Sequence, residues 1–234
     1  MGWDRLRSAG NPAALFRDGN GKAYDFDKIK PIDTPLKGRR VCVLGSSVVF
    51  GSASQGFAVA EYLSARLGCV CTKEAVCGTT LVDKDRRSYV SRLKALDKSV
   101  PCDLFLCQLS TNDATQKLPL GEITAGDDLD TATVTGAMAF IIQYVRRTWG
   151  CPVAFFTGSR YDSEAYRAMV DRLYELKEKY EIGVLDLFRG DAFNSISDEA
   201  RRLYLHDPIH PTKAGYRDWW GPELEKQLLA FYCG

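Results

Sequence analysis

Histidine is the scarcest chemically versatile residue in this chain: His206 and His210 are the only two in 234 residues. No Cys-x-x-Cys occurs, and neither histidine stands with cysteines at zinc-site spacing, so a structural zinc centre is not expected. The phosphate-cradling patterns Gly-x4-Gly-Lys-Ser/Thr and Gly-x-Gly-x-x-Gly are missing, as is the Gly-x-Ser-x-Gly elbow of α/β-hydrolases. No apolar run reaches the ~18 residues of a membrane span. The most apolar helical stretch, Ala137 to Ile142, is soon followed by Arg146 and Arg147. The first residues lack the apolar segment of a secretory signal. Net charge is also almost absent: 31 basic against 30 acidic residues give +1, without the basic footprint of a nucleic-acid binder. Together these absences predict a cytoplasmic chain with a small-molecule substrate and neither nucleic acid nor membrane as a partner.

What is present fits one α/β domain. Hydrophobic residues make up 45% and charged residues 26%, the balance of an ordinary globular protein. Cys42, Cys71, Cys107 and Cys151 lie in or beside apolar runs, where cysteine serves as a small hydrophobe. Residues 1–38 are punctuated by Gly, Pro and Asp and read as an irregular arm packing on the domain or on a partner; the domain itself is expected over 39–234. Short apolar runs at 41–44, 70–76, 104–109, 153–156 and 183–187 predict five strands covered on both faces. Helical spacing is seen at Phe57, Ala60, Leu63 and Leu67; from an Asp130 cap through Trp149 to Gly150; and at Tyr166, Met169, Val170, Leu173 and Leu176. Strands alternating with helices imply a parallel sheet with right-handed crossovers, a three-layer flavodoxin-like α/β fold. In such folds a site forms beyond the carboxyl ends of the strands.

The segments found there are unusual: Gly45-Ser46-Ser47 with Gly51, Cys77-Gly78-Thr79-Thr80, Ser110-Thr111-Asn112-Asp113, and His206-Asp207-Pro208-Ile209-His210-Pro211. A serine nucleophile needs a base of near-neutral pKa, usually histidine. Asp207 stands three residues before His210, a spacing that lets a carboxylate reach the imidazole in a turn, whereas neighbours such as His206 and Asp207 point apart. His210 is therefore the better base. Acyl transfer also needs donors for a developing oxyanion. The Ser47 N–H, the N–H of Gly78, whose missing Cβ permits close approach, and the Asn112 amide are the candidates.

These four segments resemble the four blocks of the SGNH hydrolases, a branch of the GDSL-type lipases and acylhydrolases. Gly45-Ser46-Ser47 with Gly51 is similar to the Gly-Asp-Ser block. Gly78 matches the second block's glycine, Asn112 the asparagine of Gly-x-Asn-Asp, and Asp207-Pro-Ile-His210 the Asp-x-x-His block. The likeness runs in order over roughly residues 39–231. Ser46 replaces the usual aspartate and Ser110 the usual glycine, which leaves open which of the two serines faces the site; the family register favours Ser47. The resemblance implies an esterase with a Ser47-His210-Asp207 triad, an oxyanion hole of Ser47, Gly78 and Asn112, an acyl-enzyme, and no metal or organic cofactor.

Thr79, Thr111, Arg160 and Tyr161 are the further candidates for substrate contacts, and the long connection over 114–130 is a candidate specificity loop. Small polar residues at the strand ends (Thr79, Thr80, Ser110, Thr111, Thr157, Ser159) favour a short acyl ester, acetyl above all, on a hydroxylated alcohol such as a sugar. Two other readings stay open. One is a non-catalytic module holding a small anion with Ser46, Ser47 and Thr111; the other is an acyltransferase using the same triad.

Overall fold

Period-2 side-chain alternation splits the inner strands between two cores. Leu44, Phe105, Cys107, Val153 and Phe155 point to one, and Val41, Val43, Leu104, Leu106, Ala154 and Phe156 to the other. Both faces of these inner strands are thus apolar, as a covered parallel sheet requires, but the run expected at 70–76 is not covered on both faces: it is an edge strand, every residue of which is at least partly exposed. In the computed structural model, which describes residues 17–124, 126 and 128–234, these runs form β1 (Arg40–Gly45), β2 (Val70–Ala75), β3 (Leu104–Gln108), β4 (Val153–Phe156) and β5 (Gly183–Leu185). The sheet order is β2-β1-β3-β4-β5, with every pairing parallel. The order reverses at β1, so the crevice between β1 and β3 is the topological switch point.

Helices α3 (Tyr89–Ala95), α5 (Val134–Trp149) and α6 (Glu164–Tyr180) cover the first face. Helices α2 (Val59–Leu67) and α9 (Gly221–Cys233) cover the second, with the π-helical turn Gly215–Trp220 that runs into α9. Short helices α1 (Ser47–Phe50), α4 (Thr111–Thr115), α7 (Asp191–Asn194) and α8 (Asp198–Tyr204) complete the described α-helices, and single 3-10 turns at Asp18–Asn20, Lys22–Tyr24 and Phe26–Lys28 precede them. The α/β fold with a five-stranded parallel sheet is therefore as the sequence pattern implies.

Boundaries differ in informative ways. The cap of α5 is Thr133, not Asp130: the Thr133 hydroxyl accepts the Gly136 N–H at 3.2 Å, while the Asp130 carboxylate accepts from Ala132 one turn earlier. The apolar run of β3 ends on Gln108, a polar residue only 1% exposed. Of the N-terminal arm, residues from 17 onward lie against the α/β body, with Phe26 and Leu36 buried in the second core; the rest of the arm falls outside the described residues. The long connection after α4 is pinned at both ends, by Leu118 N–H to Asp113 O and Val134 N–H to Pro119 O. All eight cysteines are free thiols. Among the described residues, no helix is long and apolar enough to cross a membrane, and no cluster of three or more metal-ligating side chains occurs.

Candidate active site

Gly45 closes β1 where no side chain would fit: an added Cβ would lie 2.2 Å from Val49 and 2.7 Å from Gln108 Oε1. The chain can therefore turn sharply from β1 into α1. Ser46 points inward and is fully buried; Gln108 Oε1 accepts its N–H at 2.9 Å and its hydroxyl at 3.4 Å. Ser47 opens α1 on the opposite side, and its Oγ lies 2.8 Å from His210 Nε2. Geometry thus separates the two serines that the sequence left unresolved.

Beyond β5 the chain adds no further strand to the sheet, and α7 and α8 lead to an isolated antiparallel bridge between Leu205 and Pro211. Within that bridge Asp207 folds the chain into an Asx-type turn, its Oδ1 accepting the N–H groups of Ile209 and His210, both at 2.9 Å. The same carboxylate meets His210 Nδ1 at 2.8 Å through Oδ2. Burial alone would raise the Asp207 pKa, but the hydrogen bond and charge of His210 and the two backbone N–H groups outweigh it and hold the carboxyl at about 2. The relay Ser47–His210–Asp207 is therefore continuous, with an ionised carboxylate behind the imidazole.

Gly78 has φ +76, the left-handed region that disfavours a side chain, and nothing lies within 4 Å of where its Cβ would stand. Space above that backbone is open to a ligand. The next carbonyl, Thr79 O, accepts from Asn112 Nδ2 at 2.9 Å and from Ser110 Oγ at 3.3 Å. One N–H of the Asn112 amide is thereby fixed on the Gly78 loop. Asp113, fully buried, accepts the N–H groups of Leu81 and Val82 at 2.9 and 3.1 Å and ties the far end of that loop to α4. Burial pushes its carboxyl pKa up, only partly countered by those N–H groups and by Ser110.

Several supporting residues had not been singled out from the sequence. Gln108 gathers Ser46 and also Tyr89, whose hydroxyl lies 3.4 Å from Oε1. Arg92 is 8% exposed and spreads its guanidinium over Gly45 O at 2.8 Å, Thr79 Oγ1 at 3.2 Å and Glu74 Oε1 at 2.9 Å. It joins the ends of β1 and β2 to the Gly78 loop. Tyr216 donates to Val48 O at 2.6 Å, linking the π-helical turn to α1. A polar residue ending an apolar strand, as Gln108 does, was the available sequence signal.

The four further candidates for substrate contacts lie as follows. Thr79 is buried and its hydroxyl donates to Val76 O at 2.7 Å, while Thr111 is buried at the start of α4. The Arg160 guanidinium is spent on Phe188 O, Arg189 O and Asp191. Tyr161 packs edge-on to Phe188 and against Tyr166; burial raises its pKa to about 12. Thr80, Ser110, Thr157 and Ser159 are likewise buried. The hydroxyls of Thr80, Ser110 and Thr157 donate inside the fold, to Val82 O, Thr79 O and Asp186. His206, the other histidine, takes no part in the relay; its carbonyl accepts from Arg17.

The sequence over residues 43–217 matches the family model of the GDSL-like lipase/acylhydrolases. No curated protein matches the chain. Among solved structures, a protein from Lactobacillus plantarum superposes with a TM-score of 0.70 at 18% identity, over 83% of this chain and 98% of that one. An acetyl xylan esterase, AlAXEase, gives 0.60 at 14% identity over 80% and 98% of the two chains. A family two carbohydrate esterase from Clostridium thermocellum, solved with cellohexaose, gives 0.55 at 15% identity over 84% and 64%. At these identities the likeness is one of fold.

Proposed function

The chain belongs to the GDSL-like lipase/acylhydrolase family of ester-bond hydrolases, and on that footing we propose that it is a serine esterase with Ser47 as nucleophile, His210 as base and Asp207 as the carboxylate behind it. The observation that carries this is the unbroken relay, 2.8 Å from Ser47 Oγ to His210 Nε2 and 2.8 Å from His210 Nδ1 to Asp207 Oδ2. His210 Nε2 takes the hydroxyl proton as Ser47 Oγ bonds to the ester carbonyl carbon. Asp207 keeps the Nδ1 proton in place and stabilises the imidazolium. The carbonyl oxygen becomes an oxyanion between the N–H groups of Ser47 and Gly78 and the second N–H of Asn112, whose first is held by Thr79 O. The imidazolium then protonates the departing alcohol. A water deprotonated by His210 attacks the acyl-enzyme, releasing the acid and restoring the serine. Every proton is carried by these side chains, without need of a cofactor.

The substrate we propose is a short acyl ester, acetyl first, on a carbohydrate. Support comes from the two carbohydrate-active esterases that share the fold. Three cavities in the protein, of about 230, 450 and 470 Å³, are lined by neither Ser47 nor His210, so none of them serves as an acyl tunnel from the nucleophile. The test is kcat/KM across C2 to C12 p-nitrophenyl esters, with acetylated sugars alongside and products analysed in the presence of added alcohols. The expected result is a maximum at C2 to C4 and release of free acid. A long-chain pocket would instead raise kcat/KM about fourfold per methylene, from ~0.8 kcal/mol of burial each, up to C8 or beyond. That rise would overturn the short-acyl assignment. Ester products formed in preference to free acid would make the chain a transferase.

A further inference from the structure

Ser47 and His210 come from opposite ends of the folded chain, and something must hold their separation to the tolerance that proton transfer demands. Tyr216 supplies one tie, to Val48 in α1. A second crosses a residue far from both. Asn20, 4% exposed, donates from Nδ2 to Ala53 O at 2.8 Å and accepts the Lys213 N–H on Oδ1, also at 2.8 Å. Ala53 sits in the turn that follows α1, and Lys213 comes three residues after His210. One carboxamide therefore grips the nucleophile turn with its donor and the base segment with its acceptor.

The segment around Asn20 is built to deliver it. A Cβ on Gly19 would stand 2.0 Å from Leu203 O and 2.4 Å from Thr212 Oγ1, so the chain lies flush on the end of α8 and on the turn after His210. Arg17 donates to His206 O at 3.1 Å, and Arg217 donates to Ala23 O at 2.6 Å. The Lys213 ammonium, nearly buried, pairs with Asp25 and lies 5.5 Å from the centre of the Phe57 ring. Phe57 in turn packs on Phe26. These contacts reach both the segment after Ser47, at Phe57, and the segment around His210, at Leu203, His206 and Thr212.

We propose that Asn20 is a positioning residue for catalysis: its carboxamide sets the Ser47–His210 distance, and the N-terminal segment from residue 17 to Phe26 is the strap that presents it. This rests on the reading of Ser47 and His210 as nucleophile and base. Removing the bridge lets the base segment shift relative to α1, while Gly78 and Asn112 keep their own ties through Thr79 O, Ser110 and Asp113. The loss then falls on the proton-transfer step rather than on ester binding.

The experiment compares Asn20→Ala, Asp25→Asn and Ser47→Ala with the parent in the full chain, measuring kcat, KM, the rate of inactivation by a fluorophosphonate, and Tm. Asn20→Ala is expected to lower kcat by about 10–100-fold, the scale of a small misplacement of reacting groups, with KM within twofold. Fluorophosphonate inactivation should slow in the same ratio. Asp25→Asn removes the ion pair to the Lys213 side chain while leaving the Asn20 carboxamide and the Lys213 N–H that it accepts unaltered, and should keep kcat within about twofold of the parent. A parent-like kcat in folded Asn20→Ala, or equal losses in the Asn20 and Asp25 variants, overturns the proposal. If Asn20→Ala does not fold, Asn20→Asp keeps the acceptor for Lys213 and loses the donor to Ala53; a parent-like kcat there overturns it equally. Activity surviving in Ser47→Ala would instead sink the catalytic assignment itself.

Discussion

The two walls of the site are made in different ways. The wall that carries the proposed nucleophile and oxyanion donors grows directly from the ends of β2, β1 and β3, three neighbouring strands on one side of the hydrogen-bonded sheet with β2 at its edge. Its loops are locked from below by buried side chains: Gln108 under Ser46, Arg92 under Gly45 and Thr79, and Asp113 under Leu81 and Val82. The wall that carries the proposed base stands well past β5 on turns and two short helices, with the Leu205–Pro211 bridge of its own. It is held from outside, by Tyr216 and by the N-terminal segment. Strand ends thus fix one half of the chemistry, and long-range ties fix the other. Damage to the first wall should change how the transition state is bound; damage to the second should change how the proton moves.

The largest effect should come from the base wall's own imidazole. His210→Gln should lower kcat by at least about 10⁴-fold, as loss of a triad member does elsewhere, whereas His206→Gln should keep nearly all activity. Loss of activity in the His206 variant alone would reverse the assignment. Acid profiles sharpen the point. Asp207 is held at about 2, below the ordinary carboxylate value of about 3.9, by His210 and two backbone N–H groups acting against burial. A carboxyl with a depressed folded pKa stabilises the fold above its unfolded pKa and loses that contribution as pH falls toward the folded one. The grip of Asp207 on the base turn is therefore complete above about pH 4 and fades between there and about 2. Activity lost above pH 4 belongs to another group, and the rate profile of the parent, compared with unfolding followed by circular dichroism, separates the two.

A smaller effect is expected on the other wall. Asn112→Ala removes one oxyanion donor and the bond to Thr79 O, and should lower kcat by about 10²–10³ with KM little changed. A rise in KM at normal kcat would make Asn112 a ground-state contact and erase the proposed difference between the walls.

Much of this was legible in the sequence. Apolar runs of strand length gave the sheet, and helical spacing at Tyr166, Met169, Val170, Leu173 and Leu176 gave a face that is buried throughout. The four chemistry-bearing loops were found because a parallel sheet brings the segments after its strands together, however far apart they lie in the chain. What escaped was direction. Thr79, Thr111 and Arg160 lie where substrate contacts were expected, but a turn residue's address does not say which way its side chain points. The fold spent theirs on its own carbonyls and carboxylates or buried them. Asn20 escaped for another reason. Its partners are 33 and 193 residues away, and a bond of that span leaves no periodicity or local motif to read.

The central claim is that Ser47, not Ser46, is the acylated atom's owner. It is tested most directly by treating the folded chain with an active-site-directed fluorophosphonate and locating the adduct by peptide mass spectrometry. The account predicts a single phosphonylated residue, Ser47, because its Oγ lies 2.8 Å from His210 Nε2 while Ser46 is buried against Gln108. Labelling should vanish in Ser47→Ala. An adduct on Ser46, or no adduct on a folded chain that still hydrolyses esters, would contradict it.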